Sequence, residues 1–427
     1  YLRPTSFQAE EATREPTRAE LARLVAEGEG RVVERAGEGR WSRIKSTSFY
    51  SQGFSSGQVA FDSLRGRILM VGDWGDREQF LFQWHSAAQA GWPFLTTNSP
   101  PIREAAALVF DPRRDRAVLF GGRRDGDLAS DLWEFDGTAA AWEERTAVGG
   151  RWPAAREWHA AAYDGSRGKV VLFGGGDASG RDLLADTWEW DGDGWVERTP
   201  DPAQPGPVPR FRHALAYDGT RGRVVLFGGW TEAGDPLADL WEWDGEAGVW
   251  IDRTPPILPE AWPAPRGGHG MTYDERRQTV VLFGGGLLDP AKDFECADVS
   301  RRNDLWEWDG ERGTWTDRTV PGIVWPGERC AHSLLHDRSS GEVVVVDWAP
   351  WDWRVWEWSW ETGAWANQSW CGNALWSSED QCLAYSPMTG SVGRWNAAVA
   401  YNPENGTVTV AGGQEWSTEE LRPERAG

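Results

Sequence analysis

The sequence predicts an all-β protein in which one short antiparallel sheet is repeated seven times around a ring. Three observations predict it. The strand Val-Val-Leu-Phe-Gly-Gly occurs at 170–175, 224–229 and 280–285, with Ala-Val-Leu-Phe-Gly-Gly at 117–122. An anchor residue, acidic in six units and Asn402 in the seventh, stands ten positions before the first glycine position each time. A further strand, Leu-Trp-Glu-Trp-Asp or a close variant, follows the glycines and is trailed by a second Trp. Self-similarity at such a period marks a stacked array of supersecondary units.

Each unit reads as four strands. The first ends on its anchor: Asp62, Asp111, Asp164, Asp218, Asp274, Asp337 and Asn402. The second is a β-branched run ending at Gly72, Gly121, Gly174, Gly228, Gly284, Asp347 and Gly412, where glycine lets the chain turn sharply. The third appears at Leu132–Asp136, Thr187–Asp191, Leu240–Asp244 and Leu305–Asp309 and alternates with period two, as a half-buried strand should. An Asp-Gly turn, tolerant of positive φ, leads into the fourth strand. There a Trp stands nine residues after the first Trp of the third strand (Trp133 to Trp142, Trp241 to Trp250, Trp306 to Trp315, Trp356 to Trp365), and Thr146, Thr254, Thr319 or Ser369 follows four later.

Such units are the blades of a β-propeller. The paired glycines, the spaced Trp pair and the Thr that follows resemble Kelch repeats, over about residues 31–414. The seventh unit has only Arg394–Asn402 and Thr407–Gly413, and Arg31–Trp41 aligns with the third and fourth strands of the others. The expectation is therefore a seven-bladed propeller, with blade seven built from 394–414 plus 31–47. Residues 1–30 form an extension with a short helix opened by the capping box Thr17–Glu20, and 415–427 form a tail.

The formal net charge of −22 argues against nucleic-acid and anionic-membrane partners. Apolar runs are only strand-sized, as at Val343–Val346, so no membrane span is expected. The chain opens on Tyr1 with no signal-peptide pattern; a removed leader would fit its cysteines. Cys296, Cys330, Cys371 and Cys382 admit three pairings, with zinc the weaker reading. Once the blades are laid out, Cys371 and Cys382 share one loop, while Cys296 and Cys330 lie in adjacent units on the same face. Two disulfides, Cys296–Cys330 and Cys371–Cys382, are expected, and with them an extracellular, periplasmic or cell-surface setting.

In a blade of this kind, the start of the first strand and the loop between strands two and three share a face. That face receives the insertions 287–302 and 370–393 and the Pro-rich connectors, and loop length tends to gather where function sits. Arg103, Arg156, Arg210, Arg266, Arg329 and Arg394 stand eight residues before the anchor in six units, a cationic ring at the channel mouth. Guanidinium suits carboxylate, sulfate or phosphate, and the resemblance to Kelch proteins that bind acidic peptides implies a pocket there. The same arginines could instead bind carbonyls or acids between blades. Trp158 and Trp395 flank the ring and suit sugar stacking or a protein contact.

The repeated His159, His213, His269 and His332 read as scaffold, as do the repeated Asp131, Asp186, Asp239 and Asp304. No catalytic constellation, metal site or cofactor is expected. Calcium at Asp191–Gly194 lacks the necessary set of ligands. The function expected is a secreted or cell-surface binding module for a protein or an anionic or carbohydrate ligand. The alternatives are a carbohydrate-active enzyme or a structural assembly subunit. Resemblance to the copper oxidase branch, galactose oxidase-like, would require a Tyr-His pair that this chain lacks. A sialic-acid isomerase would suit an Arg-rich pocket.

Overall fold

The structure, a computed structural model, describes residues 58–367 apart from 75–77, 86–89, 95–98, 102, 146–150, 177–181, 202, 290–295, 298–299, 321–325, 327–329, 331, 339 and 350–351, together with the backbone of six short strands between 375 and 415. The chain divides into two compact units. The larger, 49–371 with 375–382, contains six four-stranded antiparallel sheets. From the centre outward, blade 1 is Gln58–Asp62, Arg67–Trp74, Glu78–His85 and Ala90–Phe94. Blade 2 is Ala107–Asp111, Arg116–Phe120, Leu132–Asp136 and Ala141–Glu144. Blade 3 is Ala160–Asp164, Lys169–Phe173, Thr187–Trp190 and Trp195–Glu197. Blade 4 is Ala214–Asp218, Arg223–Phe227, Leu240–Asp244 and Val249–Asp252. Blade 5 is Gly270–Asp274, Thr279–Phe283, Leu305–Asp309 and Thr314–Asp317. Blade 6 is Ser333–Asp337, Glu342–Ala349, Asp352–Ser359 and Ala364–Asn367.

The second strand is buried on both faces because it lies between neighbouring sheets: Val224 to Phe227 and Val280 to Phe283 are all within 1% of complete burial. Each such side chain contributes roughly 1.5–3 kcal/mol of apolar transfer. The Trp of the fourth strand pairs in register with the second aromatic of the third: Trp243 with Trp250, Trp308 with Trp315, Phe135 with Trp142. The phenylalanine before the glycines then packs on the next blade's Trp, as Phe173 on Trp250 at 5.2 Å and Phe227 on Trp315 at 5.3 Å. This accounts for the high Trp content: the rings hold each blade together and join it to the next. The Thr hydroxyl after the fourth strand accepts the first N–H of the third, Leu240 to Thr254 at 2.9 Å and Leu305 to Thr319 at 3.1 Å.

The paired glycines are required twice over. Gly228 has φ +60°, and a Cβ there would lie 2.6 Å from the Arg266 carbonyl of the next blade. Gly229 has φ +101° and donates its N–H to that carbonyl at 2.9 Å.

The blade count differs from the sequence expectation. The ring is not seven-bladed, because blade 6 packs directly against blade 1: Val59 and Ile68 share a buried cluster with Val344 and Val346. Five of the six sheets, blades 2 to 6, carry the aromatic pair of the repeat on their third and fourth strands. The strands of the expected seventh unit, Ala398–Asn402 and Thr407–Ala411, pair as an isolated antiparallel hairpin and belong to the smaller unit. Residues 1–30 and the closing strands expected at 31–47 lie outside the described residues. Among the described residues no helix is long and apolar enough to cross a membrane.

Candidate functional site at the channel mouth

Antiparallel alternation puts the strand 2–3 loops and the connectors between blades on one face. Backbone bridges Glu104–Arg123, Glu157–Gly176, Phe211–Trp230 and Gly267–Gly286 tie the two together there. At this face lie the ring arginines. Arg210 is fully buried; it donates to both carboxylate oxygens of Asp239 at 2.6 Å, to the Gly228 carbonyl at 3.0 Å and to the Val208 carbonyl at 3.0 Å. Arg103, Arg156 and Arg266 repeat this arrangement with Asp131, Asp186 and Asp304. Each guanidinium thus clamps the start of its own inner strand to the glycine turn and the head of the third strand.

Desolvation pushes the carboxyls of Asp131, Asp186 and Asp304 up, and the hydrogen bonds and charge of their arginines more than offset it, leaving them below the usual range. The charge of these four arginines is therefore neutralised within their own blades. Arg329 is outside the described residues, and Arg394 and Trp395 are described by backbone alone, in a two-residue strand of the smaller unit.

The histidines also belong to the scaffold. His159, His213, His269 and His332 sit edge-on against the phenylalanine of the preceding blade at 5.4–5.6 Å. Burial, reinforced by the nearby arginine charge, pushes His159 and His269 down to about 3 and His213 well below the ordinary range. These three are neutral packing groups. Among the described residues no three His, Cys, Asp or Glu are grouped to hold a metal ion.

Two residues after Arg103, Arg156, Arg210 and Arg266 the backbone turns left-handed: Ala105 at φ 54°, Trp158 at 53°, Arg212 at 52° and Gly268 at 66°. Successive members are joined around the mouth, Trp158 N–H to Ala105 O at 3.0 Å, Arg212 N–H to Trp158 O at 3.0 Å and Gly268 N–H to Arg212 O at 2.8 Å. A non-glycine residue at positive φ is uncommon, and a bulky one such as Trp is an outlier that needs support from its surroundings; this belt supplies it. The backbone repeats and the side chains do not: methyl, indole, guanidinium and hydrogen stand at equivalent points.

Arg212 lies over the Trp158 ring, 5.1 Å from its centroid, and Trp158 packs on Phe211 at 5.6 Å. Beside them buried Glu157 receives Arg123 at 3.0 and 2.5 Å. Burial raises the Glu157 carboxyl despite the opposing charges of Arg123 and Arg212.

The sequence reading named Trp158 and missed Arg212, Glu157 and Arg123. The usable signal was the pair of non-repeating positions between a repeating Arg and a repeating His. It also missed the buried mid-strand acids Glu134, Glu189, Glu242 and Glu307. Glu242, for example, receives Arg221 at 2.5 Å and Arg253 at 2.8 Å, and Glu189 accepts the Trp243 indole of the next blade.

Cys296 and Cys330 form the expected disulfide, with Cα atoms 6.1 Å apart, joining the blade 5 loop to the connector into blade 6. Cys371 lies outside the described residues and Cys382 is described by backbone alone. The disulfide packs with Phe211, Trp230, Trp158, Leu183 and Leu288, so it forms part of the same face.

A family model, the KLHDC2/KLHL20/DRC7 Kelch-repeats domain, matches residues 104–346, more than half of the chain. Host cell factor 2 of Homo sapiens is 27% identical over 52% of this chain and 28% of its own length. Dynein regulatory complex subunit 7 of Chlamydomonas reinhardtii is 32% identical over 26% of this chain and 10% of its own. Mei4-dependent protein 6 of Schizosaccharomyces pombe is 29% identical over 36% of this chain and 23% of its own. The chain thus matches well under a third of each relative. These relatives overturn the secreted, extracellular, periplasmic or cell-surface placement: a cell factor and a dynein regulatory subunit are proteins of the cell interior. The cysteine pairing reports that two loops are adjacent, which holds in any compartment.

Proposed function

The chain belongs to the Kelch-repeat family, and on that premise we propose that it is a protein-interaction module whose partner docks over the channel mouth. The observation that carries this is the mouth belt, where an invariant backbone presents non-repeating side chains. Elsewhere the repeated residues serve the blade; at Trp158 and Arg212 the scaffold holds a Trp and an Arg at positive φ without a repeat-wide packing role. Trp and Arg are the side chains most enriched where a few contacts dominate binding.

The surrounding face supports a protein partner. Of seven large hydrophobics exposed among the described residues, five (Val208, Ile257, Leu258, Leu287 and Val320) lie on connectors or loops of this face. Ile257 is 87% exposed, too much for a core residue.

Affinity capture from native cells, comparing the wild-type chain with Trp158→Ala/Arg212→Ser, tests the reading. Leu64→Ser, on a turn of the opposite face, serves as control. One specific partner should be lost from the mouth variant and kept by the control. Equal capture by all three chains removes the mouth from consideration.

A further inference from the structure

We infer that the Cys296–Cys330 pair is a thiol-exchange site that takes small thiols of the glutathione class at Cys330, and that its redox state sets the mouth belt. Its effect on a partner rests on the mouth being the docking surface; the exchange chemistry and its hold on the belt do not. Both sulfurs lie 3.8 Å from the carbonyl oxygen of Gly267. Gly267 joins the ring residue Arg266 to the belt residue Gly268, whose N–H donates to the Arg212 carbonyl at 2.8 Å. The same Gly267 carbonyl accepts Gly286 N–H at 3.0 Å, at the root of the blade 5 insertion. Side-chain packing gives a second route. Cys296, Phe211 and Trp230 form a buried cluster on which Trp158, Leu288 and Cys330 pack. Trp158 keeps its φ of 53° because its surroundings hold it there, and the cystine is part of those surroundings.

The two sulfurs differ in access. Cys296 is 2% exposed, whereas Cys330 is half-buried. Thiol–disulfide exchange depends on which sulfur can be reached, so an incoming thiolate attacks Cys330 Sγ. The S–S bond breaks, a mixed disulfide forms at Cys330, and Cys296 leaves as a thiolate and takes up a proton. A second small thiolate attacks the small-molecule sulfur of that adduct. Cys330 then leaves and is protonated, and the two small thiols depart joined as a disulfide. Two small thiols are oxidised, one protein disulfide is reduced, and their two protons pass to the cysteines; the reverse sequence restores the bond.

Reduction unties the blade 5 insertion from the connector into blade 6. The insertion keeps backbone anchors of its own, Ala297 N–H to Leu287 O at 2.9 Å and Arg302 N–H to Gly285 O at 2.9 Å. The blades therefore stay folded while the hold on Gly267 and Trp158 slackens. The relatives of this chain are proteins of the cell interior, a setting in which a disulfide is characteristically transient or redox-sensing.

The test equilibrates the full chain with reduced and oxidised glutathione at several ratios, alkylates it and maps the thiols by mass spectrometry. Cys296 and Cys330 should pass together between disulfide and thiol. Oxidised glutathione added to the reduced chain should leave its adduct on Cys330. Hydrogen exchange of peptides covering 211–213 and 267–269 should quicken at least about fivefold on reduction. The opposite-face turn at Gly222, closed by its N–H to Asp218 O at 2.9 Å, should not change, which shows that the fold is intact. Cys296→Ser/Cys330→Ser should match the reduced chain in either buffer. A pair that stays oxidised in excess reduced glutathione, an adduct on Cys296, or belt exchange that does not respond overturns the site and leaves the mouth reading untouched. Capture from cell extract with and without reductant then reads the regulation. The partner lost by Trp158→Ala/Arg212→Ser should fall at least about fivefold on reduction; equal capture in both states overturns it. If the belt responds but no partner depends on Trp158 or Arg212, the proposed function fails and the exchange site stands.

Discussion

Replacing Arg210 by Met removes a side chain that is fully buried and makes hydrogen bonds to one carboxylate and two backbone carbonyls. Methionine fills similar volume, so the cost comes from the groups left behind. Asp239 loses both charge-assisted bonds and keeps only the Trp241 indole at 2.8 Å. Orphaning one partner of a buried ion pair costs about 3–5 kcal/mol. Because the Asp239 side chain retains 23% exposure, water offsets part of that and the low end applies, about 3 kcal/mol. Arg210→Met/Asp239→Leu removes the stranded charge and should recover at least half, leaving the cost of the unsatisfied carbonyls and indole. Urea unfolding followed by Trp fluorescence measures both. A loss below about 1 kcal/mol for the single variant would refute the reasoning: the guanidinium would then be free to serve a ligand.

Three further outcomes follow from the same geometry. Gly228→Ala should destabilise the ring by at least about 2 kcal/mol, from positive φ and from a Cβ 2.6 Å from the Arg266 carbonyl, measured by the same unfolding curve. Stability should fall as pH is lowered below about 6.5: the unfolded histidines take up protons there, while His159 and His269 stay neutral in the fold until about 3. In that window each contributes a slope approaching about 1.4 kcal/mol per pH unit, and the ring carboxylates, held below their usual range, add further loss at lower pH. Urea midpoints that do not move between pH 7 and 5 would contradict it. Removing the disulfide by Cys296→Ala/Cys330→Ala opens a loop of sequence separation 34, a chain-entropy loss of about 4 kcal/mol at most, read from the shift in urea midpoint.

The blade was legible in the sequence because each of its elements has a short-range cause. The anchor acid caps its own turn: Asp218 accepts the N–H groups of Thr220 and Arg221 at 3.1 and 3.2 Å. The glycine pair is fixed by backbone approach, and the Trp pair by cross-strand register. The blade number was not legible, since the spacing that defines a unit also holds at Asn402, whose strands form a separate hairpin. What closes the ring is the fit of Val59 and Ile68 to Val344 and Val346, a match of faces far apart in sequence.

The arginine ring was legible as a pattern and illegible as chemistry. Arg and Asp recur in the same units 28 to 38 residues apart, and only the fold shows that each pair meets. The mouth site lay in plain view as a break in repetition, at Glu157-Trp158 and Phe211-Arg212, but a break reads as drift until the left-handed belt gives it a place.

The most direct measurement of the central claim places a photo-crosslinking amino acid singly at positions 158, 212 and 64 of the full chain in cells. Adducts to a common partner from 158 and 212, with none from 64, are the predicted result. A partner captured chiefly from 64, on the opposite face, would contradict the account.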